Sequence, residues 1–494
     1  MKKSVLLAAA FVALIATSCR KIEMDGGGST VVAPPTTPGV QTIVLKGRID
    51  KDTVLREGNN YILSGLVYMV NNATMTIQPG VTVKGDYTGT SVATLVITRG
   101  AKIIADGTQE KPIVFTSNSP VPRSGDWGGI VICGKAAVNT AFTGTGGGPG
   151  ILEVEGGVNN SFGDGLAGGG ATPNSADNSG ILRYVRIEYA GYAYQPDKEI
   201  NSLTMAGVGN GTIIDYVQVT YAKDDAFEWF GGTVNCKHLI AYKTQDDDFD
   251  SDNGFSGKIQ FGIVLRDSTI ADISRSEAFE SDNDANGSAT SIPQTKAVFS
   301  NLTLIGPRAT LANNGNSLYL AAAHVRRNTG ISIHNSVILG WPQGILIDAS
   351  RGRAQELNIM DSTNRFKNNT IAGCGNVNGT DVTSYAWTPS TANASLWNRD
   401  SVVARFSNTT FSNTVLANVS DAKLIAPFNY AAPDFLPFGG SSGYQPILTG
   451  ASFTDPNLTS GFTVVKFRGA CDAAGVDAFL FLIFGFSVSK INCT

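Results

Sequence analysis

The sequence predicts an all-β fold, a parallel β-helix (a solenoid) with loop insertions, and three observations support this prediction. Charged residues make up only 16% of the 494 residues while 56 are glycine, a balance typical of a chain with many strands and turns. Apolar residues, at 42%, are numerous enough to bury a core. Short alternating segments also recur along the chain, which favours a solenoid whose coils pack on one another.

Two sets of segments show the recurrence most clearly. Ile77 and Ile97 hold the same place in TIQPGV and VITRGA, 20 residues apart. An asparagine recurs in four later segments, at Asn301, Asn335, Asn368 and Asn408. If coils stack about 4.8 Å apart, these side chains are expected to hydrogen-bond along the stack as an amide ladder. A β-sandwich would not explain the asparagines, and a propeller would need equal blades of about 40–50 residues.

Residues 1–18 have the features of a lipoprotein signal peptide. A basic start and an apolar run of 11 residues (5–15) precede three small residues and Cys19. That run is too short to span a bilayer as a helix, which needs about 20 residues. The segment resembles a bacterial lipobox, which implies lipidation of Cys19, and Arg20 after it favours anchoring at the outer membrane. An ordinary signal peptide followed by an incidental cysteine is the alternative.

The rest of the chain divides into three predicted parts. Residues 19–40 are rich in Gly, Thr and Pro and are expected to be a flexible tether. Residues 41–477 form the predicted β-helix domain, with loop insertions at 143–182 and 373–400. Residues 478–494 are an atypical apolar tail, too short to span a membrane. The net charge of −4 gives no electrostatic reason to expect a nucleic-acid partner.

Five motifs resemble those of a family of largely uncharacterised bacterial secreted proteins and lipoproteins. They are residues 125–131 (GDWGGIV), 155–157 (EGG), 183–188 (RYVRIE), 224–232 (DDAFEWFGG) and 246–250 (DDDFD). The resemblance covers roughly residues 45–470. It implies a right-handed parallel β-helix similar to that of pectate lyases, and it implies no particular activity.

Three segments, residues 224–228, 246–250 and 276–280, align on Phe227, Phe249 and Phe279, which are expected to stack in the core. The alignment places acids in columns: Asp225, Asp247 and Glu277; Glu228, Asp250 and Glu280; and Asp252 and Asp282. Stacked coils would hold these carboxylates about 5 Å apart. Two like charges at that distance repel by about 3 kcal/mol at an effective dielectric of 20. Either some pKa values rise, or a cation lies among the acids.

Oxygen ligands in this number favour Ca²⁺, which accepts irregular six- to eightfold coordination. The predicted ligands are Asp225, Asp247, Asp250 and Glu277, with Asp252, Glu280 and Asp282 nearby. The alternative is that these acids line turns and are simply solvated.

Three functions are compatible with the sequence. The first is a surface glycan-binding or adhesive module, in which Trp229, Tyr192 and Tyr194 stack on the rings of a polysaccharide or surface glycan. The second is a calcium-assisted polysaccharide lyase, which needs a basic side chain near the cation. Its candidate bases are Arg326, Arg327, Lys243 and Lys223. The third is a glycoside hydrolase that uses paired carboxylates such as Asp247 and Asp250.

Overall fold

The computed structural model describes residues 39–195, 198–313, 315–375, 383–391, 395–438 and 445–472. The predicted signal peptide, Cys19 and the predicted apolar tail lie outside the described residues, as does almost all of the predicted tether. Neither of the two helices in the described chain is long and apolar enough to cross a membrane.

The described chain consists mainly of short strands. In chain order they are β1 (Thr42–Ile49), β2 (Thr53–Leu55), β3 (Asn60–Met69), β4 (Thr74–Ile77), β5 (Thr82–Gly85), β6 (Thr94–Ile97), β7 (Lys102–Asp106), β8 (Ile113–Ser117), β9 (Gly129–Cys133), β10 (Ala141–Phe142), β11 (Gly148–Pro149), β12 (Leu152–Glu153), β13 (Leu166–Ala167), β14 (Gly180–Glu188), β15 (Ala193–Gln195), β16 (Lys198–Glu199), β17 (Leu203–Ala206), β18 (Ile213–Thr220), β19 (Phe227–Phe230), β20 (Asn235–Tyr242), β21 (Phe249–Asp252), β22 (Lys258–Leu265), β23 (Phe279–Ser281), β24 (Val298–Ile305), β25 (Ala323–Val325), β26 (Ser332–His334), β27 (Val337–Leu339), β28 (Ile345–Asp348), β29 (Arg365–Lys367), β30 (Thr370–Ala372), β31 (Tyr385–Thr388), β32 (Thr414–Leu416), β33 (Leu424–Ala426) and β34 (Asp434–Pro437). The helices are α1 (Gln355–Met360) and α2 (Arg399–Phe406), with four 3-10 turns at Gly89–Ser91, Thr409–Phe411, Val419–Ala422 and Pro456–Leu458.

Twenty-six of these strands belong to one sheet that winds into coils. The strand pairs of this sheet are parallel, and each strand pairs with its counterpart one coil further on. The strands β17, β19, β21, β23, β25 and β28 form one face, here called the cleft face. Longer strands such as β18 and β20 bend and contribute their two halves to the other two faces. The predicted all-β, right-handed parallel β-helix is confirmed.

The core of the β-helix is a stack of inward-facing apolar side chains. The rings of Phe227 and Phe249 are 5.7 Å apart and those of Phe249 and Phe279 are 5.3 Å apart, as predicted. Trp229 is also fully buried, 5.2 Å from the ring of Phe255. The prediction that Trp229 is an exposed sugar-stacking residue is therefore wrong. Side chains alternate between core and surface along a strand, so Trp229 shares the inward face of β19 with Phe227.

The predicted amide ladder is wrong, because the hydrogen bonds between coils involve the residues that directly follow the predicted asparagines. Asn301, Asn335 and Asn368 have left-handed backbone conformations, with φ of 58°, 52° and 59°. Asn301 lies within β24, and the other two lie between strands. Asn408 is not in register with them and instead caps a 3-10 turn by accepting from the amide of Thr410. Asn301 and Asn335 bind the backbone of residues 445–472, which lie along the outside of the coils. Asn301 also accepts from Gln260, and Asn335 also donates to Ser300, each in the preceding coil. In the described chain these side chains therefore bond the preceding coil and this outer segment rather than one another.

The ladder itself runs through the residues that follow the turns. The amide of Leu302 donates to Ser336 Oγ across 3.1 Å, and the amide of Ser336 donates to Asn369 Oδ1 across 2.9 Å. The amide of Asn369 in turn donates to Asn413 Oδ1 across 3.0 Å. Buried backbone donors between coils are satisfied in this way.

Two excursions from the coils reach the cleft face. Residues 134–179, between β9 and β14, form an insertion that contains the small antiparallel pairs β10–β11 and β12–β13. A hairpin formed by β15 and β16 leads into β17. Both excursions begin or end beside the first strands of the cleft face, so they can contribute side chains to its surface.

Candidate functional site

The predicted acidic columns exist on the cleft face. Glu228 pairs with Asp250, and Asp250 pairs with Glu280. His324 continues the same column on β25. Because inward positions are filled by the phenylalanines, these residues face outward. The coil-to-coil register expected from the phenylalanine spacing is confirmed.

A cleft of about 180 Å³ opens beside these columns. Nine of its twelve lining residues carry a carboxyl group; the lining consists of Glu155, Glu199, Asn201, Asp224, Asp225, Glu228, Asp246, Asp247, Asp250, Ser274, Arg275 and Glu280. Four of the seven predicted metal ligands line it: Asp225, Asp247, Asp250 and Glu280.

Glu155 reaches the cleft from the insertion. Gly156 follows it with φ of +71°, and a Cβ at this position would lie 2.9 Å from the carbonyl oxygen of Glu199. Asn201 Nδ2 donates a hydrogen bond to Glu155 Oε1 across 3.1 Å and another to the carboxylate of Glu228. The insertion is therefore held against the cleft face by a turn that only glycine fills easily and by one shared amide.

The acidic column of Asp225, Asp247 and Glu277, just before β19, β21 and β23, also forms hydrogen bonds with the backbone. Asp225 Oδ1 accepts a hydrogen bond from the amide of Asp247. Asp247 Oδ1 accepts one from the amide of Glu277. In Asp225 and Asp247, one carboxylate oxygen therefore has a fixed partner in the next coil.

Basic side chains neutralise one end of the acidic columns. Arg326 donates to both oxygens of Asp282, across 2.9 and 3.1 Å, and also to Glu280. Arg327 Nη1 lies 2.6 Å from Asp282 Oδ2. His324 lies between two further acids, at 3.2 Å from Glu277 and 3.0 Å from Asp348. The predicted ligands Glu277, Glu280 and Asp282 thus already have cationic partners.

His324 and Glu277 stabilise each other's charged forms. Burial alone would lower the pKa of His324, but hydrogen bonds to Asp348 and Glu277 raise it to about 9. Burial alone would raise the pKa of Glu277, yet the hydrogen bond from His324 holds it below its usual value. This end of the face is a closed network of charges.

Among the described residues, no basic side chain forms an ion pair with the acids at the other end, and their protonated forms are favoured. Burial, followed by repulsion from neighbouring carboxylates, raises the pKa values of Asp224, Asp225, Glu228, Asp247 and Asp250 well above normal. Burial raises the pKa of Asp246 to about 7 and that of Asp252 to about 6. Within the described chain, Asp250 Oδ1 is buried and has no hydrogen-bond partner.

Two groups of these acids are close enough to share a cation. Oxygens of Asp225, Glu228 and Asp250 all lie within 4.8 Å of one another. The same limit holds for Asp224, Asp225 and Asp246. Asp225 belongs to both groups, so the two sets meet at one residue. Carboxylate oxygens in this density are ligands suited to Ca²⁺.

The two predicted tyrosines differ in their environments. Tyr194 is anchored by its hydroxyl group, which lies 3.2 Å from Thr94 Oγ1 and donates to the carbonyl of Val92 across 2.9 Å. Tyr192 packs edge-on against Tyr194, with ring centroids 4.9 Å apart, and is partly exposed. The amide of Ile200 donates to the carbonyl of Tyr192, and Ile200 directly precedes Asn201 of the cleft.

The candidate lyase bases are mostly occupied. Arg326 and Arg327 form the ion pairs described above, and Lys243 Nζ lies 3.2 Å from Asp267 Oδ2. Lys223 is exposed and directly precedes Asp224. Their positions leave Lys223 as the candidate base nearest in sequence to the cleft.

Sequence reasoning missed several residues of the cleft. Asp224 and Asp246 stand in the same alignment as the predicted ligands and could have been found there. Glu155 belongs to a motif that carried the family resemblance, but nothing in the sequence relates it to Asp225, 70 residues later. Arg275 offered no pattern at all.

The coiled parallel sheet and the acidic cleft together define a β-helix protein whose candidate site lies on one face of the helix. The chain belongs to the family of pectate-lyase-like β-helix domains, whose model matches residues 47–420. This match confirms the resemblance drawn from the motifs. No curated protein matches the chain.

Proposed function

We propose that the protein is a glycan-binding β-helix module, exported and anchored at the outer membrane through Cys19, whose acidic cleft holds Ca²⁺. The observation that carries the proposal is the convergence of Asp225, Glu228 and Asp250, whose oxygens lie within 4.8 Å of one another. Asp250 Oδ1 adds a buried acceptor without a partner. A cation would give all three carboxylates a shared positive partner and would satisfy Asp250 Oδ1.

The electrostatic balance supports a cation. Two carboxylates 4.8 Å apart repel by about 3 kcal/mol at an effective dielectric of 20, and the cleft contains several such pairs. Without a cation the acids must take up protons, which agrees with the raised pKa values of these carboxyl groups. A divalent ion would replace those protons, so that binding releases protons and favours neutral or higher pH.

Calcium fits this donor set better than zinc or magnesium. Zinc favours nitrogen and sulfur ligands in tetrahedral geometry, and the cleft lining contains no histidine or cysteine. Magnesium requires a near-ideal octahedron and keeps its waters. Irregular clusters of carboxylates such as Asp224, Asp225 and Asp246 match the looser coordination of calcium.

The glycan part of the proposal rests on the family and on Tyr192. A partly exposed aromatic ring close to a bound cation is suited to stacking on a sugar whose hydroxyl groups complete the coordination. The pectate-lyase-like fold favours a glycan as the ligand, by analogy of fold alone.

Calcium titration of the full chain tests the cation site. We expect millimolar Ca²⁺ to raise the Tm of chelated protein by several degrees. Asp250→Asn should remove most of this rise, whereas Asp50→Asn, at an exposed aspartate of the first coil, should leave it unchanged. An unchanged Tm in the wild type would contradict the proposed ion.

A glycan array with and without Ca²⁺ tests the binding function. Calcium-dependent retention of a polysaccharide without chemical change would support a binding module. The alternative, a calcium-assisted polysaccharide lyase, would instead produce an unsaturated product with a rise in ultraviolet absorbance. A hydrolase would release new reducing ends. Either product would replace the binding function by an enzymatic one.

A further inference from the structure

A buried ion pair lies next to the residues of the acidic cleft. Arg266 Nη1 is 3.0 Å from Asp248 Oδ1, and neither side chain is exposed to solvent. Asp248 directly follows the cleft residue Asp247 and directly precedes β21, the strand that carries Asp250. Burying two charges costs free energy, and apolar side chains of similar volume often give an equally stable fold. The stability of the β-helix therefore does not by itself account for this pair.

The neighbouring coils show that the position of Asp248 needs no charge. Ala226 and Ala278 occupy the same place in their coils, since each directly precedes a phenylalanine of the paired strands. Both alanines are fully buried and belong to the hydrophobic core. The charge of Asp248 is therefore matched to Arg266 rather than to a requirement of the coil.

Arg266 holds the turn that presents two acids to the cleft. Its Nη1 group donates to Asp248, and its Nη2 group donates to the carbonyl of Gln245 across 3.2 Å. Asp246 and Asp247 lie between these two fixed points, and both line the cleft. A planar guanidinium that makes two directional hydrogen bonds fixes a distance and an angle, which a single ammonium group does not. The spacing of the two acids is therefore constrained by a side chain outside the cleft lining.

Further contacts hold Arg266 and the turn in place. The guanidinium carbon lies 5.1 Å from the centre of the Tyr319 ring. The hydroxyl group of Tyr319 donates across 2.7 Å to the carbonyl of Asp267, the residue after Arg266. In the next coil, Ser276 Oγ donates to the same carbonyl of Gln245 across 2.8 Å. The arginine, the turn and the following coil thus form one connected set of contacts.

We propose that Arg266 is a positioning residue of the cation site, which fixes Asp246 and Asp247 through its bonds to Asp248 and to the carbonyl of Gln245. The inference rests on the proposed function and adds the residue that sets which size of ion the cleft prefers. Because Asp248 balances the charge of Arg266, the pair holds the turn without repelling a cation. Groups that orient metal ligands in this way contribute about 10- to 100-fold to metal affinity.

The test removes the pair without leaving a buried charge. Arg266→Met combined with Asp248→Ala replaces the guanidinium by an apolar side chain and gives position 248 the residue of the neighbouring coils. Binding of Ca²⁺ and of the larger Ba²⁺ to the full chain is measured by calorimetry, at a temperature at which circular dichroism shows each variant to be folded. Wild type is expected to prefer Ca²⁺, because fixed ligands do not adapt to the larger ion. The double variant should bind Ca²⁺ about 10- to 100-fold more weakly and lose most of this preference.

Two further variants complete the test. Arg266→Lys keeps the charge but not the planar fork, so it should fold and still show a lower ratio of Ca²⁺ to Ba²⁺ affinity. The matched control is Arg365→Met combined with Asp455→Ala, which removes another ion pair with a buried carboxylate. Neither of these residues lines the cleft, so this variant should bind both ions like wild type.

The outcomes separate this inference from the cation site itself. Wild-type affinity for both ions in the folded double variant, or an unchanged ratio in Arg266→Lys, would overturn the role of Arg266 and leave the cation site standing. An equal loss of affinity in the control would also overturn it, because any loss of a buried pair would then have the same effect. Absence of Ca²⁺ binding by wild type would instead overturn the cation site, and the positioning role with it.

Discussion

Asp225 Oδ1 accepts a hydrogen bond from the backbone amide of Asp247, 2.8 Å away and one coil further along the β-helix. Asp247 Oδ1 repeats this contact with the amide of Glu277 across 2.6 Å. These side chains therefore have two roles, because one oxygen links successive coils while the charge contributes to the acidic cleft. The two roles can be separated by substitution.

Asp225→Asn should separate them. The amide oxygen of asparagine can still accept from the amide of Asp247, but the negative charge is lost. At pH 8 without calcium, we expect the free energy of unfolding to rise by about 1–3 kcal/mol, because one source of repulsion is removed. The Ca²⁺-induced rise in Tm should fall to half or less. Asp225→Ala loses both roles and is expected to be less stable than wild type. Equal destabilisation by both variants would argue against charge repulsion.

The stability of the calcium-free protein should fall as pH rises from about 4 to about 9. Asp246 and Asp252 have folded-state pKa values of about 7 and about 6, above that of an unfolded aspartate near 3.8. The folded state therefore binds more protons than the unfolded state, and stability is lost as these groups ionise. His324, with a pKa of about 9 against 6.5, acts in the same direction between pH 6.5 and 9.

Thermal unfolding across this pH range, with chelator and with Ca²⁺, is the measurement. The rise in Tm caused by Ca²⁺ should be larger at pH 8 than at pH 5, because the ion competes with protons for the same carboxylates. A calcium effect that is equal at both pH values would place the bound ion on groups that are ionised throughout. Asp246→Asn should flatten the calcium-free profile between pH 4 and pH 7.

Arg326→Ala should destabilise the protein by about 3 kcal/mol, because it leaves Glu280 and Asp282 partly buried without their main cationic partner. Arg183→Ala is the matched control: its ion pair with Asp106 is longer, at 3.3 Å, and more exposed. We expect that variant to lose less than about 1 kcal/mol. Denaturant unfolding of the two variants gives both values, and similar losses would mean that the Arg326 pair acts as an ordinary surface pair.

The coil register could be predicted from the sequence because short local segments encode it. Phe227, Phe249 and Phe279 repeat on the inward face, so aligning them aligns every outward residue between them. The same two-residue alternation would have assigned Trp229 to the core, since it stands two positions after Phe227 on one strand. The strand period therefore predicts a buried Trp229, and aromatic character alone does not indicate an exposed ring.

Other parts of the site could not be read from the sequence. Glu155 meets the cleft through an insertion whose path depends on tertiary contacts, and no periodicity links it to Asp225. The partners of Arg326 depend on a coil of more than 40 residues that separates it from Asp282. The asparagines do recur at matching positions, but Asn335 has a left-handed backbone conformation and bonds Ser300 and the carbonyl of Ser452 instead of another asparagine. Local backbone conformation decided that outcome.

Gly156→Ala should weaken the cleft by displacing Glu155. A Cβ at Gly156 would meet Ile200 and the carbonyl of Glu199, so the turn must move away from the cleft face. Gly157→Ala provides a matched control, because Gly157 has nearly the same φ, +69° against +71°, but no atom within 4 Å of its added Cβ. Both variants bear the cost of a positive φ, about 1 kcal/mol or more. Only Gly156→Ala should also reduce the Ca²⁺-induced rise in Tm, and an equal reduction in both would show that Glu155 has no part in binding the ion.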